Sequence, residues 1–354
     1  MKKMRQSIKV KPGRGFGFLL IAALSAALFF SACGTEKPGG TPGPSGSSST
    51  SESAAPTEER ITESGEQETG SAELPETASA EPEPSSVTEP ETPSVTEPET
   101  TAAPVILPEG NTLESRFAVP AGYTRSEYPE GSFGSFVRHY PLKPDGSPVL
   151  LWDGRQKPDQ SGHAAVFAMR VEDELDVQQC ADSVMRIYAE YFRAAGLYDR
   201  IRFHFVSGFL FDYNTFIQGY RIQVAGSDVN WVLSKPPEDS DAVFNEYMKY
   251  VCAYASTLSM VGESEETDLA GLRIGDIFLR GGSPGHVVMV ADVCEKDGQK
   301  AFLLAQGYMP AQEFHVIRNP RHPDDPWYYE EEVQYPFRTQ AYTFEEGSLR
   351  RPVY

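Results

Sequence analysis

Basic side chains are scarce. The 354 residues hold 31 Lys and Arg against 51 Asp and Glu, a formal net charge of −20. Phosphate contacts need Lys and Arg, so nucleic acid is excluded as a partner. Only four cysteines occur, at 33, 180, 252 and 294. Three of them lie beyond residue 105, so any disulfide there leaves one thiol unpaired. Histidines are few, and no pair stands at metal-ligand spacing with a nearby acid. No Gly-x-x-x-x-Gly-Lys loop is present to cradle phosphate. No cofactor is expected on these grounds. Long apolar runs are missing too, which excludes a polytopic membrane protein. Residues 34–104 contain no aromatic side chain and almost no large aliphatic one. Such a stretch cannot bury enough apolar area to offset its ordering entropy.

What is present divides the chain in three. Residues 1–33 carry Lys2, Lys3, Arg5, Lys9, Lys11 and Arg14, then a short apolar run from Phe16 to Phe30. This is the layout of a secretory signal. Small residues then precede Cys33 directly after the apolar run, in the manner of a bacterial lipobox. Cys33 is therefore the expected lipidation site and new N-terminus, with membrane lipid as its partner. Residues 34–104 read as a disordered linker rich in Pro, Glu, Ser and Thr, with an eight-residue repeat beginning at Ser86 and again at Ser94. Proline and like charges extend it beyond the roughly 45 Å r.m.s. span of a flexible chain of that length. It suits a tether that holds a domain away from the membrane on the extracytoplasmic side. Residues 105–354 form the globular domain.

Within that domain, 105–160 reads as loops and short strands, the clearest strand being 149–152. A further strand is expected over 164–171. Asp176 opens a helix running to about 195, with Gly196 past its end. Strands follow at 201–205, 220–224 and 231–233, then a second long helix over 241–260. Strands at 277–279, 287–293 and 301–305 complete the pattern, the last two joined across Lys296-Asp297-Gly298-Gln299, a hairpin signal. Helices inserted among strands in this order make a single mixed α+β domain.

The most informative stretch runs from Leu272 through Gly275 and Asp276 to Leu279, then from Gly281 to His286 and Val290. It resembles the Gly-Asp…His-Val core of cell-wall cysteine peptidases and amidases of the NlpC/P60 and CHAP kind. The resemblance implies a papain-like core with insertions. It makes His286 the general base and Gln306, at the end of the next strand, the residue that orients it. Its nucleophile is a Cys at a helix N-terminus, where the dipole favours thiolate. Cys180 fits that place, and a Gln just before it could bind an oxyanion. Cys180 also falls on the helix's apolar stripe, where core thiols are common. Cys252 lies mid-helix and Cys294 follows a strand. A Cys180–Cys252 disulfide stays open without geometry.

Four segments together resemble a family of bacterial lipoproteins with domain of unknown function 4846: Gln178 to Arg186, the aromatic stretch from Tyr247 to Leu258, Gly281 to His286, and Tyr308 to Gln312. The family implies a lipoprotein with one domain and no activity to carry over. Where it leads one to expect Ser between the Gln and the Tyr, this chain has Gly307. Two readings stand. One is an extracytoplasmic hydrolase of peptide or amide bonds, acting on peptidoglycan or envelope peptides through Cys180, His286 and Gln306. The other is a ligand-binding module on a similar scaffold. Tyr308, Gln312 and Trp327 would line its groove, with Trp152 and Arg155 at a cleft edge.

Overall fold

The computed structural model describes residues 104–354. The signal segment 1–33, the lipidation site Cys33 and the linker up to 103 lie outside the described residues. The described chain runs α1 (Leu113–Arg116), β1 (Thr124–Arg125), α2 (Phe133–Arg138), β2 (His163–Val166) and α3 (Cys180–Ala194). Two hairpins follow, β3 (Arg202–His204) with β4 (Leu210–Asp212), and, after α4 (Tyr213–Ile217), β5 (Tyr220–Ala225) with β6 (Asp228–Leu233). Next come α5 (Asp241–Tyr254), α6 (Thr257–Gly262), β7 (Ser264–Glu266), β8 (Ile277–Arg280), β9 (His286–Lys296), β10 (Gln299–Gln306) and β11 (His315–Ile317). The last elements are β12 (Tyr328–Tyr329), β13 (Phe337–Arg338), β14 (Thr343–Phe344) and β15 (Leu349–Pro352). Helices and antiparallel strands share one core, so the domain is α+β. No helix among the described residues is long and apolar enough to cross a membrane.

The centre is a nine-stranded sheet in the order β2-β11-β10-β9-β8-β15-β7, with β1 also on β9 and β12 also on β10. Every pairing in it is antiparallel. β9 is its spine. From His286 to Cys294 every residue is buried, which is why the sequence reads there as a continuous apolar run rather than an alternation. α2 and α3 pack against it, while Phe337 and Phe344 of the β13–β14 hairpin lie on Phe278 of β8. The β9–β10 turn places Asp297 at φ 51° and Gly298 at φ 79°, the two left-handed positions of a tight hairpin turn.

Several expected elements end differently. The helix assigned from Asp176 begins at Cys180. The Asp176 carboxylate accepts the Ala311 N–H (2.6 Å) across the chain instead of capping a first turn. The helix assigned over 241–260 breaks at Ala255, because Ser256 accepts the Leu258 N–H and opens α6. Residues 149–152 make only isolated bridges, Leu150 to Gln156 and Leu151 to Gln312. The stretch 105–160, read as loops and strands, carries α1 and α2. Cys180, Cys252 and Cys294 are all free thiols, which closes the question of a Cys180–Cys252 bridge.

Candidate functional site

β9 and β10 bring His286 and Gln306 together. His286 opens β9, Gln306 closes β10, and the imidazole Nε2 lies 2.8 Å from Gln306 Oε1. Gln306 is the register partner of His315 on β11. Its amide nitrogen stands 3.5 Å from His315 Nε2, and His315 Nδ1 is 2.8 Å from the Glu313 main-chain oxygen. All three side chains are 2% exposed.

These contacts fix the protons. A carbonyl oxygen can only accept, so His315 Nδ1 carries a hydrogen and donates to Glu313. Burial pushes the His315 pKa down to about 3, so the ring is neutral and its Nε2 is a lone pair. The Gln306 amide nitrogen must donate to that lone pair, which turns Oε1 towards His286. His286 Nε2 therefore carries the hydrogen, and its basic lone pair sits on Nδ1. Among the described residues, His286 makes no other side-chain hydrogen bond. Burial lowers its pKa to about 4, with Gln306 opposing.

Cys180 is the first residue of α3, which packs on β9. Backbone N–H groups of Val287, next in the chain after His286, and of Ala181 act to lower the Cys180 pKa. These amides favour thiolate. Burial and then the charge of Asp182 outweigh them and push the thiol up to about 11. Asp182 is itself buried. One carboxylate oxygen accepts the Gln179 N–H (2.9 Å) and the other has no partner among the described residues. Burial pushes this acid up to about 8. The Cys180 thiol and the His286 imidazole are thus both neutral, on adjoining elements.

Aromatic rings roof the imidazole. Tyr308 and Tyr342 each lie 4.9 Å from it, centroid to centroid, and Phe344 lies at 6.1 Å. Tyr342, on the connection between β13 and β14, donates from its hydroxyl to the Pro284 carbonyl (3.2 Å) in the loop before His286. Gly307 has no room for a side chain. A Cβ there would stand 2.6 Å from Ser183 Oγ and 2.7 Å from the Gln179 carbonyl oxygen. Gly307, where the resemblance led one to expect Ser, thus sits where the start of α3 comes close to the end of β10.

The other expected residues scatter. Gln178 is consumed by structure: its Oε1 accepts from Glu172 N–H and Arg186 Nε, and its Nε2 donates to the Arg170 carbonyl. It is therefore not free to hold an oxyanion. Trp327 is fully buried, with Nε1 donating to the Ala118 carbonyl and Arg125 over its ring, so it belongs to the core and not to a groove wall. Trp152 and Arg155 sit on a loop bonded to the segment after Tyr308, through Trp152 N–H to the Ala311 carbonyl (2.8 Å). Arg155 is exposed and paired with Asp153. Gln312 is buried beside this loop, with its Oε1 unpartnered among the described residues. Cys252 and Cys294 are buried thiols, and burial pushes Cys294 up to about 12. Among the described residues, no group of three or more His, Cys, Asp or Glu could hold a metal ion.

His315 and Asp182 were not singled out from the sequence. His315 gave no signal, because its role depends on the β10–β11 register. Asp182 could have been found as the third residue of a helix starting at Cys180, where an acid caps the preceding N–H.

No curated protein matches the chain, and no solved structure does. The sequence model of one family, Domain of unknown function (4846), matches residues 113–351. That span takes in every residue of the relay, the thiol and the roof, and the chain belongs to this family.

Proposed function

We propose that the domain is a cell-envelope thiol hydrolase, tethered through Cys33 to membrane lipid on the extracytoplasmic face, acting on peptide or amide bonds. The observation that carries this reading is the polarity of the His286–Gln306–His315 relay. It leaves the lone pair on Nδ1 at the start of β9, the strand on which α3, opened by Cys180, packs. A thiol at a helix start, a histidine at a strand start and a polar residue ending the following strand also keep the order of the NlpC/P60 resemblance. In the reaction, Nδ1 takes the thiol proton as sulfur attacks the carbonyl carbon. The resulting imidazolium gives that proton to the leaving amine, and water hydrolyses the thioester to acid and free thiol. The Val287 and Ala181 amides steady charge on sulfur. The roof of Tyr308 and Tyr342 must part to admit substrate.

One observation favours the second reading, a ligand-binding module without turnover. Both members of the pair are held neutral, and His286 bonds Gln306 rather than the thiol. The test is the full chain incubated with peptidoglycan-derived peptides, with new amino termini counted. Release that is lost in Cys180→Ser and in His286→Ala but kept in Cys252→Ser is the expected result. Peptides that are retained on the protein with no new amine would overturn the hydrolase and leave the binding module.

A further inference from the structure

Arg280 ends β8, and its Cα is the register partner of His286. Directly opposed residues of an antiparallel pair project to the same face, with Cβ atoms about 4.5–5.5 Å apart. The residue is exposed. Among the described residues its guanidinium makes no ion pair, unlike Arg125 and Arg138 on Asp292, Arg350 on Glu266 and Arg351 on Asp276. The groups that roof His286 are uncharged rings, Tyr308, Tyr342 and Phe344. Arg280 thus stands opposite His286 on the neighbouring strand, with its donors unspent.

The charge of the molecule gives this position meaning. A chain at −20 repels anions. A cationic or neutral substrate would need no guanidinium here, whereas an anionic one would need a local cation. A guanidinium presents a planar fork that matches a carboxylate in bidentate fashion. We propose that Arg280 binds a substrate carboxylate. The substrate class is then a peptide or acyl amide with a free carboxylate within a residue or two of the carbonyl that Cys180 attacks. This rests on the hydrolase reading for the identity of the attacked bond, but not for the anion preference itself.

The two can be tested apart. Iodoacetate and iodoacetamide alkylate the same thiol and differ in one carboxylate. Their rates at Cys180 are measured in the full chain by mass spectrometry, at about pH 9, where even an unactivated thiol reacts. The ratio of iodoacetate to iodoacetamide is compared with that of the same cysteine in the urea-unfolded chain. The folded chain should exceed the unfolded ratio by about tenfold, the scale of one charge-assisted contact. Arg280→Gln should bring the ratio down to the unfolded value, and Arg280→Lys should leave it between. Arg280 is exposed and unpaired, so a thermal melt of each variant should match that of the parent. Equal ratios in the parent and Arg280→Gln would overturn the proposal, even if the amine-release assay succeeds. A raised ratio lost in Arg280→Gln would uphold the anion site even if that assay finds no turnover.

Discussion

β9 carries two buried polar networks six residues apart, and they are built on opposite terms. At its middle, Asp292 is fully buried between two guanidinium groups, which oppose the upward push of burial on its pKa. Arg138 donates to one carboxylate oxygen through Nε (3.0 Å) and Nη2 (2.8 Å), and Arg125 pairs with the other. The Val293 N–H completes the shell. At the start of the strand, His286, Gln306 and His315 are equally buried but neutral, and one nitrogen is left over. The first network spends every acceptor on holding α2 and β1 to β9. The second is aimed, ending in a lone pair.

The comparison can be broken most directly at Asp292. Asp292→Ala strands two arginines, one of them buried, and should cost about 3–5 kcal/mol in denaturant unfolding. A loss below that of Gln306→Ala would erase the distinction. The next effect is acid sensitivity. His286 and His315 have folded pKa values of about 4 and about 3, below the ordinary value of 6.5. The unfolded chain therefore binds protons first, and their contribution falls as pH drops from 6.5 through 4. At about 1.4 kcal/mol per unit, His286 alone removes about 3 kcal/mol by then. Asp182, raised to about 8, works the other way, since its contribution is present at low pH and lost as pH rises from 3.8 through 8. Urea midpoints between pH 6.5 and 4 should therefore decline less steeply in His315→Gln than in the parent. The smallest effect is Gln306→Ala. It leaves the His286 Nε2–H unpaired and should cost about 1–3 kcal/mol. An imidazole NMR spectrum should then show the tautomers mixing, where the parent shows one. A single unchanged tautomer would mean that the relay does not set the ring.

Much of this was legible in the sequence, where the signals are local. The Asp297-Gly298 turn, the strands on either side of it and the first fourteen residues of the helix read over 241–260 follow from turn chemistry and periodicity. His286 and Gln306 were named from a motif and share a hydrogen bond, while Cys180 opens α3, which packs on β9. What failed was tertiary. Asp176 looks like a helix cap until Ala311 takes its carboxylate. Trp327 looks like a groove aromatic until its ring proves to be core. His315 looked like any histidine, because only the pairing of β11 with β10 gives it a role.

The relay has one more property. Its direction is set by the Glu313 main-chain oxygen, while the Glu313 side chain is engaged elsewhere, with Lys143 and the Leu150 N–H. All twenty amino acids supply that oxygen. A substitution scan at position 313 would therefore register losses from the side chain's own contacts and stay blind to the group that orients the relay. The instruction is carried by the peptide unit, which codon changes cannot delete, so a variant survey that counts only side chains would miss it.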